Sequence, residues 1–205
     1  MERIDVFYEN FTPNGTATID EVHRLGLWHQ TVAYWLLDVE REVVFFQLRG
    51  SQNRVGPNTF DATASGHLSA GESRLDGLRE LQEELGLSLT QEDILYWGIY
   101  KNQVQLPDYI NNEFCHIHFV PVRKELTDFV CQQGEVSAIF ELQMADMDDL
   151  LDGKPVFVAS LTESKVITIK NLCAYRERLK NGYYQQVFNE IKNIFSRRII
   201  DKTKK

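Results

Sequence analysis

Glu80, Glu83 and Glu84 stand close together in Arg79-Glu80-Leu81-Gln82-Glu83-Glu84-Leu85-Gly86-Leu87. At about 100° per residue, with Glu80 at zero on a helical wheel, Glu83 falls near −60° and Glu84 near +40°. Leu78, Leu81 and Leu85 cluster between about 100° and 160°, on a different face. A helix here buries a leucine stripe and gathers three carboxylates on one side. Carboxylates so placed repel each other unless a positive charge sits among them. Hard divalent cations accept carboxylate oxygens, and Mg²⁺ keeps waters and substrate phosphates in its shell. The chemistry this suits is metal-assisted attack on a diphosphate. The competing reading is a solvated helix face whose acids serve solubility. Two features weigh against that reading: a glycine-bearing loop before the helix, from Gly66, and a fourth carboxylate in it, Glu72.

Such a helix needs a scaffold, and the 205-residue chain has the material for one. Hydrophobic residues are 43% and charged residues 25%, which excludes wholesale disorder. Residues 31–37 and 43–48, rich in β-branched and aromatic types, are expected strands joined by a polar connection. Residues 94–101 and 113–122 are two more, and 50–59 form a polar loop. Residues 4–8 alternate and lead into Thr12-Pro13-Asn14-Gly15, a turn sequence that suits a hairpin. The acidic helix is expected over 74–87, stopped by Gly86. Residues 147–151 suggest a short helix. Beyond Pro155 the texture changes: Ser160 with Glu163 has a capping-box pattern, predicting a helix to about residue 180. Tyr184, Val187, Phe188, Ile191 and Phe195 form a second amphipathic stripe. The expected organisation is an α+β body over 1–155 and a helical extension over 156–205 packed on the same domain.

The balance of 22 Lys+Arg against 30 Asp+Glu gives a net charge of −8, so a long nucleic acid is not an expected partner. No apolar run approaches the roughly 18–20 residues that cross a bilayer, and the start lacks the organisation of a signal peptide. Cys115, Cys131 and Cys173 form no CxxC pattern and are expected as small hydrophobes in a reducing, cytoplasmic setting.

The acidic segment resembles the box of the Nudix hydrolase family, G-x5-E-x7-R-E-U-x-E-E-x-G-U with U aliphatic. Gly66, Glu72, Arg79, Glu80, Leu81, Glu83, Glu84, Gly86 and Leu87 match its fixed positions, with six residues instead of seven between Glu72 and Arg79. The missing residue must come from the turn entering the helix, or Glu72 would rotate by about 100° relative to the other acids. The resemblance implies an α/β/α Nudix sandwich with a mixed sheet, and a Mg²⁺- or Mn²⁺-dependent pyrophosphohydrolase acting on a small diphosphate linked to a moiety X. It implies Glu80, Glu83, Glu84 and the Gly66 carbonyl as metal ligands, Arg79 as their orienting ion pair, and Glu80 or Glu113 as general base.

Over residues 20–155 the chain is similar to the isopentenyl-diphosphate-isomerase-like branch. Trp28-His29-Gln30-Thr31, Gln47-Leu48-Arg49, Phe60 through His67, Asn112-Glu113-Phe114 and Gly134-Glu135-Val136 resemble its landmarks. The isomerase has a catalytic Cys directly before Gly-His, where this chain has Ser65, and a Glu-x-Glu pair where this chain reads Asn111-Asn112-Glu113. Hydrolysis is therefore expected rather than isomerisation; an isomerase-like enzyme and a catalytically silent nucleotide-binding regulator are the alternatives. His29 and His67 align with metal-binding positions of that branch and His23 lies near a third; the other reading has His67 donating to a backbone carbonyl and His29 capping a strand.

Arg49, Arg54 and His67 are candidate substrate contacts, the arginines as forks onto phosphate. His116 and His118, two apart on one strand face, are expected as the polar side of a half-exposed strand, with chelation the minor reading. Trp28, Trp35 and Trp97 are expected in the core, with nucleobase stacking the alternative. Lys202, Lys204 and Lys205 form a basic end, and the helical tail offers a surface for a homodimer.

Overall fold

The structure is a computed structural model that describes residues 3–197. Its elements are β1 (Arg3–Phe7), β2 (Pro13–Thr18), α1 (Ile19–Leu25), β3 (Trp28–Asp38), β4 (Val43–Arg49), β5 (Phe60–Asp61), β6 (Ala64–His67), α2 (Arg79–Leu85), β7 (Leu95–Leu106), β8 (Tyr109–Pro121), β9 (Val136–Gln143), α3 (Met147–Leu151), β10 (Val156–Ala159), β11 (Ser164–Ile167), α4 (Tyr175–Lys180) and α5 (Tyr183–Ser196). The basic end, Lys202, Lys204 and Lys205, lies outside the described residues.

Strand β3 organises the sheet. It runs parallel to β8 from Trp28↔Asn112 to Leu37↔Pro121. Its other edge is shared in turn by β1, β6 and β4, all antiparallel. From β4 the sheet continues through β9, β10 and β11, and β7 pairs with the far side of β8. One parallel pairing among antiparallel ones makes the sheet mixed. Alternation along β3 sends Trp35 and Leu37 to one face and Val32, Tyr34 and Leu36 to the other. The first face is covered by α5, whose buried Tyr184, Val187, Phe188, Ile191 and Phe195 recur at helical spacing. The second is covered by α2 through Leu81 and Leu85. A sheet clad by helices on both faces is the expected α+β sandwich.

Three local expectations are corrected. The helix expected from Ser160 is instead the hairpin β10–β11, which pairs with β9 at Val158↔Leu142 and extends the sheet. The Ser160 hydroxyl does accept the Glu163 N–H at 3.2 Å, as a cap would, but the bond closes a turn. Alternation of buried Val156 and Val158 with exposed Phe157 and Ala159 set the strand. Among the described residues of this part of the chain, α-helix starts only at Tyr175, so the extension is not helical throughout. The N-terminal hairpin turns at residues 8–12, with Phe11 at φ 66°, and Pro13 opens β2, so Thr12-Pro13-Asn14-Gly15 is not the turn. Its ring-mates decide this: Phe11 stacks on Phe7 and meets Phe114 edge-on. Finally, His116 and His118 are buried, beneath Tyr96 and beside Tyr34, and do not lie on a half-exposed face.

Trp28 and Trp35 are core residues, whereas Trp97 is over a third exposed. Helix α1 has no counterpart in the sequence reading; Thr18 and Glu21 form its capping box and Gly26, at φ 65°, ends it.

Candidate active site

The helix expected over 74–87 begins later, because a 3-10 turn at Asp76–Leu78 precedes α2. Ser73 N–H and Oγ–H both donate to Asp76 Oδ2, tightening the entry. A 3-10 turn takes 3.0 residues where an α turn takes 3.6, and this tighter entry accommodates the residue missing from the loop. Glu72 thereby still reaches Arg79. The Arg79 guanidinium donates to Glu72 through Nε (2.9 Å) and Nη2 (3.1 Å), and through Nη1 to Glu80 (2.6 Å) and Glu83 (3.2 Å). It also donates to the His67 carbonyl at 2.9 Å. One planar cation thus holds three carboxylates and the approach loop together.

The three helical acids are not equivalent. Glu80 and Glu84 are buried, while the Glu83 side chain is half exposed at the rim. Burial pushes the Glu80 carboxyl up to about 7, opposed by Arg79 and reinforced by Glu83. Burial likewise pushes Glu84 up to about 8, with the neighbouring Glu80 charge adding to it. Glu84 Oε2 accepts from the Ser65 N–H and from Gln47 Nε2, each at 3.2 Å. Gly66 on β6 sits directly over Glu80: a Cβ there would lie 2.1 Å from the Glu80 carboxyl carbon. A cradle of hard oxygen donors that only glycine leaves open fits a divalent cation such as Mg²⁺ or Mn²⁺.

These folded-state values are raised above the unfolded one. Without metal, the two acids therefore contribute stability that is present below about pH 4.5 and is lost as pH rises through 7 to 8. A cation must displace those protons, so its apparent affinity grows over the same interval. Mg²⁺ is expected to raise the melting temperature more at pH 8.5 than at pH 6, with at least about tenfold tighter apparent binding. Thermal unfolding with and without Mg²⁺ checks this. Equal gains at both pH values would remove Glu80 and Glu84 as ligands.

A cleft of about 580 Å³ opens over these acids, lined also by Arg49, Arg54, His67, Tyr109, Glu113 and Glu135. Arg49 is engaged on its own loop, through Nε to the Val55 carbonyl and Nη2 to Asn53, with Nη1 3.6 Å from Asp61. Arg54 is more exposed, 5.3 Å from the Tyr109 ring and 3.4 Å from Asp20. Glu113 is buried and already held by Thr31 Oγ (3.2 Å) and Asn102 Nδ2 (2.5 Å). Glu135 faces the helix acids, and its charge helps raise both Glu80 and Glu84.

His23, His29 and His67 converge: one nitrogen from each lies within 4.8 Å of the others. His23 Nε2 is 3.1 Å from His67 Nε2, which reaches no carbonyl. His29 Nδ1 is 3.0 Å from the Leu27 carbonyl; that contact places the proton on Nδ1 and leaves the buried Nε2 a bare acceptor with no protein partner. Burial lowers all three imidazoles, His23 to about 4, so they present neutral lone pairs. Neutral imidazoles so grouped can hold a transition ion.

The sequence reading missed Glu135 as a functional carboxylate, although its Gly134-Glu135-Val136 context was visible. It also missed Asp61 and Arg178, an ion pair at 2.6 Å that joins the cleft wall to α4. Arg178 lies in no motif, so only the packing of α4 brings it to the site.

A NUDIX domain model matches residues 27–161. A Nudix hydrolase of Clostridium acetobutylicum is 34% identical over 155 residues, covering 75% of each chain. Nudix hydrolase 3 of Arabidopsis thaliana is 34% identical over 124 residues, 58% of this chain but 16% of that larger protein. Among solved structures, DR0079 of Deinococcus radiodurans superposes with a TM-score of 0.57 at 16% identity, over 75% of this chain and 91% of that one. The MutT protein of Methanosarcina mazei superposes at 0.52 with 14% identity, over 80% and 95%. With the domain match covering strands β3 to β10, the glycine cradle and the Arg79-centred acids alike, the chain belongs to the Nudix family of hydrolases.

Proposed function

We propose that this protein is a Mg²⁺- or Mn²⁺-dependent pyrophosphohydrolase that cleaves a small diphosphate linked to a moiety X. The observation that carries the reading is the pair of buried carboxyls, Glu80 and Glu84, set against Gly66 and braced by Arg79. Glu80 and Glu84 would hold the cation, with Glu83 at the rim and the Gly66 carbonyl as further ligands. The cation, when bound, neutralises charge on the diphosphate oxygens and acidifies water. Arg79 keeps the acids in place between turnovers. Arg49 and Arg54 stand at the cleft as phosphate contacts, and His67 stands beside them.

In the reaction, the oxygen of water bonds to phosphorus as the bridging P–O bond breaks, and a carboxylate accepts the proton of that water. Of the two bases expected, Glu113 is held by Thr31 and Asn102, and Glu80 is paired to Arg79. Glu135, which faces the helix acids across the cleft, is the stronger choice for base. The three imidazoles form a second cation site suited to a transition ion.

Two sequence differences support hydrolysis over isomerisation: Ser65 stands at the isomerase Cys position and Asn111 at one of its acids. Ser65 contributes its backbone N–H to Glu84. Ser65→Ala is therefore expected to hydrolyse within about twofold of the parent, since the main-chain bond is kept. Phosphate release across nucleoside diphosphate conjugates and prenyl diphosphates, with and without Mg²⁺, tests the whole reading. Isomerised isopentenyl diphosphate with no phosphate release would overturn it, and a large loss in Ser65→Ala would give the Ser65 hydroxyl a nucleophilic role.

A further inference from the structure

Glu135 is an exposed residue immediately before β9, and no side chain among the described residues bonds its carboxylate. What places that carboxylate opposite the helix acids is therefore the main chain that carries it. That main chain is held from two sides. On one side, the Gln132 N–H donates to the Glu84 carbonyl at 2.9 Å and the Glu135 N–H reaches the Gln132 carbonyl at 3.3 Å, which ties the loop to the end of α2. On the other side stands the turn that follows β4. The Gly50 N–H donates to the Glu135 carbonyl at 2.6 Å, and Asn53 Nδ2 donates to the same oxygen at 2.7 Å. The two backbones touch, since a Cβ on Gly50 would stand 2.0 Å from the Gly134 carbonyl oxygen.

Asn53 is half-buried and lines the cleft. Its Nδ2 also donates to the Gly50 carbonyl at 3.2 Å, and its Oδ1 accepts from Arg49 Nη2 at 2.7 Å. A primary amide has two donor hydrogens and an acceptor oxygen, and here the hydrogens go to two carbonyls and the oxygen to a guanidinium. A carboxylate of the same shape is acceptor-only when ionised and could keep the Arg49 contact alone. One side chain thus joins Arg49, the candidate phosphate contact, to the main chain of Glu135. We infer that Asn53 is a positioning residue: by fixing the Glu135 carbonyl it holds the Glu135 carboxylate opposite Glu80 and Glu84. This rests on the hydrolytic reading with Glu135 as its base, and it adds what keeps that base in place. A base works only within hydrogen-bond reach of the proton it takes, so a loop shift of about 1 Å is enough to disable it.

A double-mutant cycle in Mg²⁺, with ADP-ribose or dimethylallyl diphosphate as substrate, tests the inference. Asn53→Ala is expected to lose at least about tenfold in kcat, a part of the roughly 10²–10⁴-fold that a positioned base supplies. In the Glu135→Gln background the same change is expected to cost less than about threefold, because the group it serves is already gone. Equal losses in both backgrounds overturn the inference and leave hydrolysis standing. Parent-like turnover in Glu135→Gln removes the base and the inference together. Asn53→Asp keeps the Arg49 contact and loses both donated bonds, so its kcat is expected to stay as low as that of Asn53→Ala. Recovery to the parent rate would assign the role to Arg49 and overturn the inference. A second readout needs no turnover: Mn²⁺ bound at the acids broadens the NMR signals of nearby nuclei. In both Asn53 variants the Glu135 N–H is expected to lose part of that broadening while the Glu84 N–H keeps its own. Unchanged broadening at Glu135, or an equal loss at both positions, overturns the inference. If the parent cleaves neither compound, the Mn²⁺ comparison decides by itself whether Asn53 places Glu135; a parent silent across the whole phosphate-release screen sinks the hydrolytic reading alone.

Discussion

Glu84→Gln is expected to lose metal-dependent turnover by about 10³-fold or more while making the metal-free protein more stable at pH 9. The two effects have one origin. Glu84 is 5% exposed, and burial raises its carboxyl to about 8. Above that pH the folded protein carries an ionised carboxylate in a desolvated place, beside a second acid. Glutamine has the same shape and no charge, and its amide oxygen can accept from Ser65 N–H and Gln47 Nε2 as Glu84 does. Since the folded pKa is raised, the stability that protonation provides is present at low pH and gone above about 8. The gain on substitution is therefore largest in alkali and small near pH 5. Each kcal/mol recovered raises the melting temperature by about 2–4 °C in a protein of this size. Steady-state kinetics in Mg²⁺ and thermal unfolding in a chelator read the two halves separately. Parent-like turnover would show that the cation is held elsewhere, and a fall in metal-free stability at pH 9 would make Glu84 a structural residue.

Gly66→Ala is the second large effect, and it acts through a single methyl group. Gly66 does not have a positive φ, so alanine is conformationally acceptable there. The added Cβ would nonetheless stand 2.1 Å from the Glu80 carboxyl carbon and 2.2 and 2.5 Å from its oxygens. Those oxygens must move, and Arg79, bonded at 2.6 Å, must move with them. A displacement of about 1 Å at a catalytic group costs on the order of 10²-fold in rate, so kcat/KM is expected to fall by at least that factor. The overpacking itself should cost about 1–3 kcal/mol of stability. A Mn²⁺ titration followed by electron paramagnetic resonance should show weakened binding in this variant. Undiminished activity and Mn²⁺ affinity would mean that Glu80 is free to leave Gly66 without consequence.

The acidic helix was legible because its signal is local. Glu80, Glu83 and Glu84 share a face through helical spacing alone, and Gly86, at φ 71°, stops the helix where its residue type suggests. The strands were legible through their β-branched and aromatic content, although β3, β7 and β8 all proved longer than their apolar cores. Ser160 and Glu163 misled because one side-chain bond serves both a cap and a turn, and only the pairing of Val158 with Leu142 settles which. The rest of the cleft was hidden for a different reason. Glu135 comes to the helix acids, and Arg178 to Asp61, across separations of 50 residues or more, and no window of sequence contains such neighbours together. Fold-level pairing puts Glu113 opposite His29, a placement no local pattern announces.

The parallel pairing of β3 with β8 joins segments some eighty positions apart in the chain. Contacts of that span form slowly, because a long loop must close before any of them is made. As the polypeptide emerges from the ribosome, the residues of the acidic helix precede the strand that carries Glu113, and Arg178 arrives later still. A helix of seven residues is too short to persist without tertiary packing, so Glu80 and Glu84 are gathered only once the sheet that buries Leu81 and Leu85 has formed.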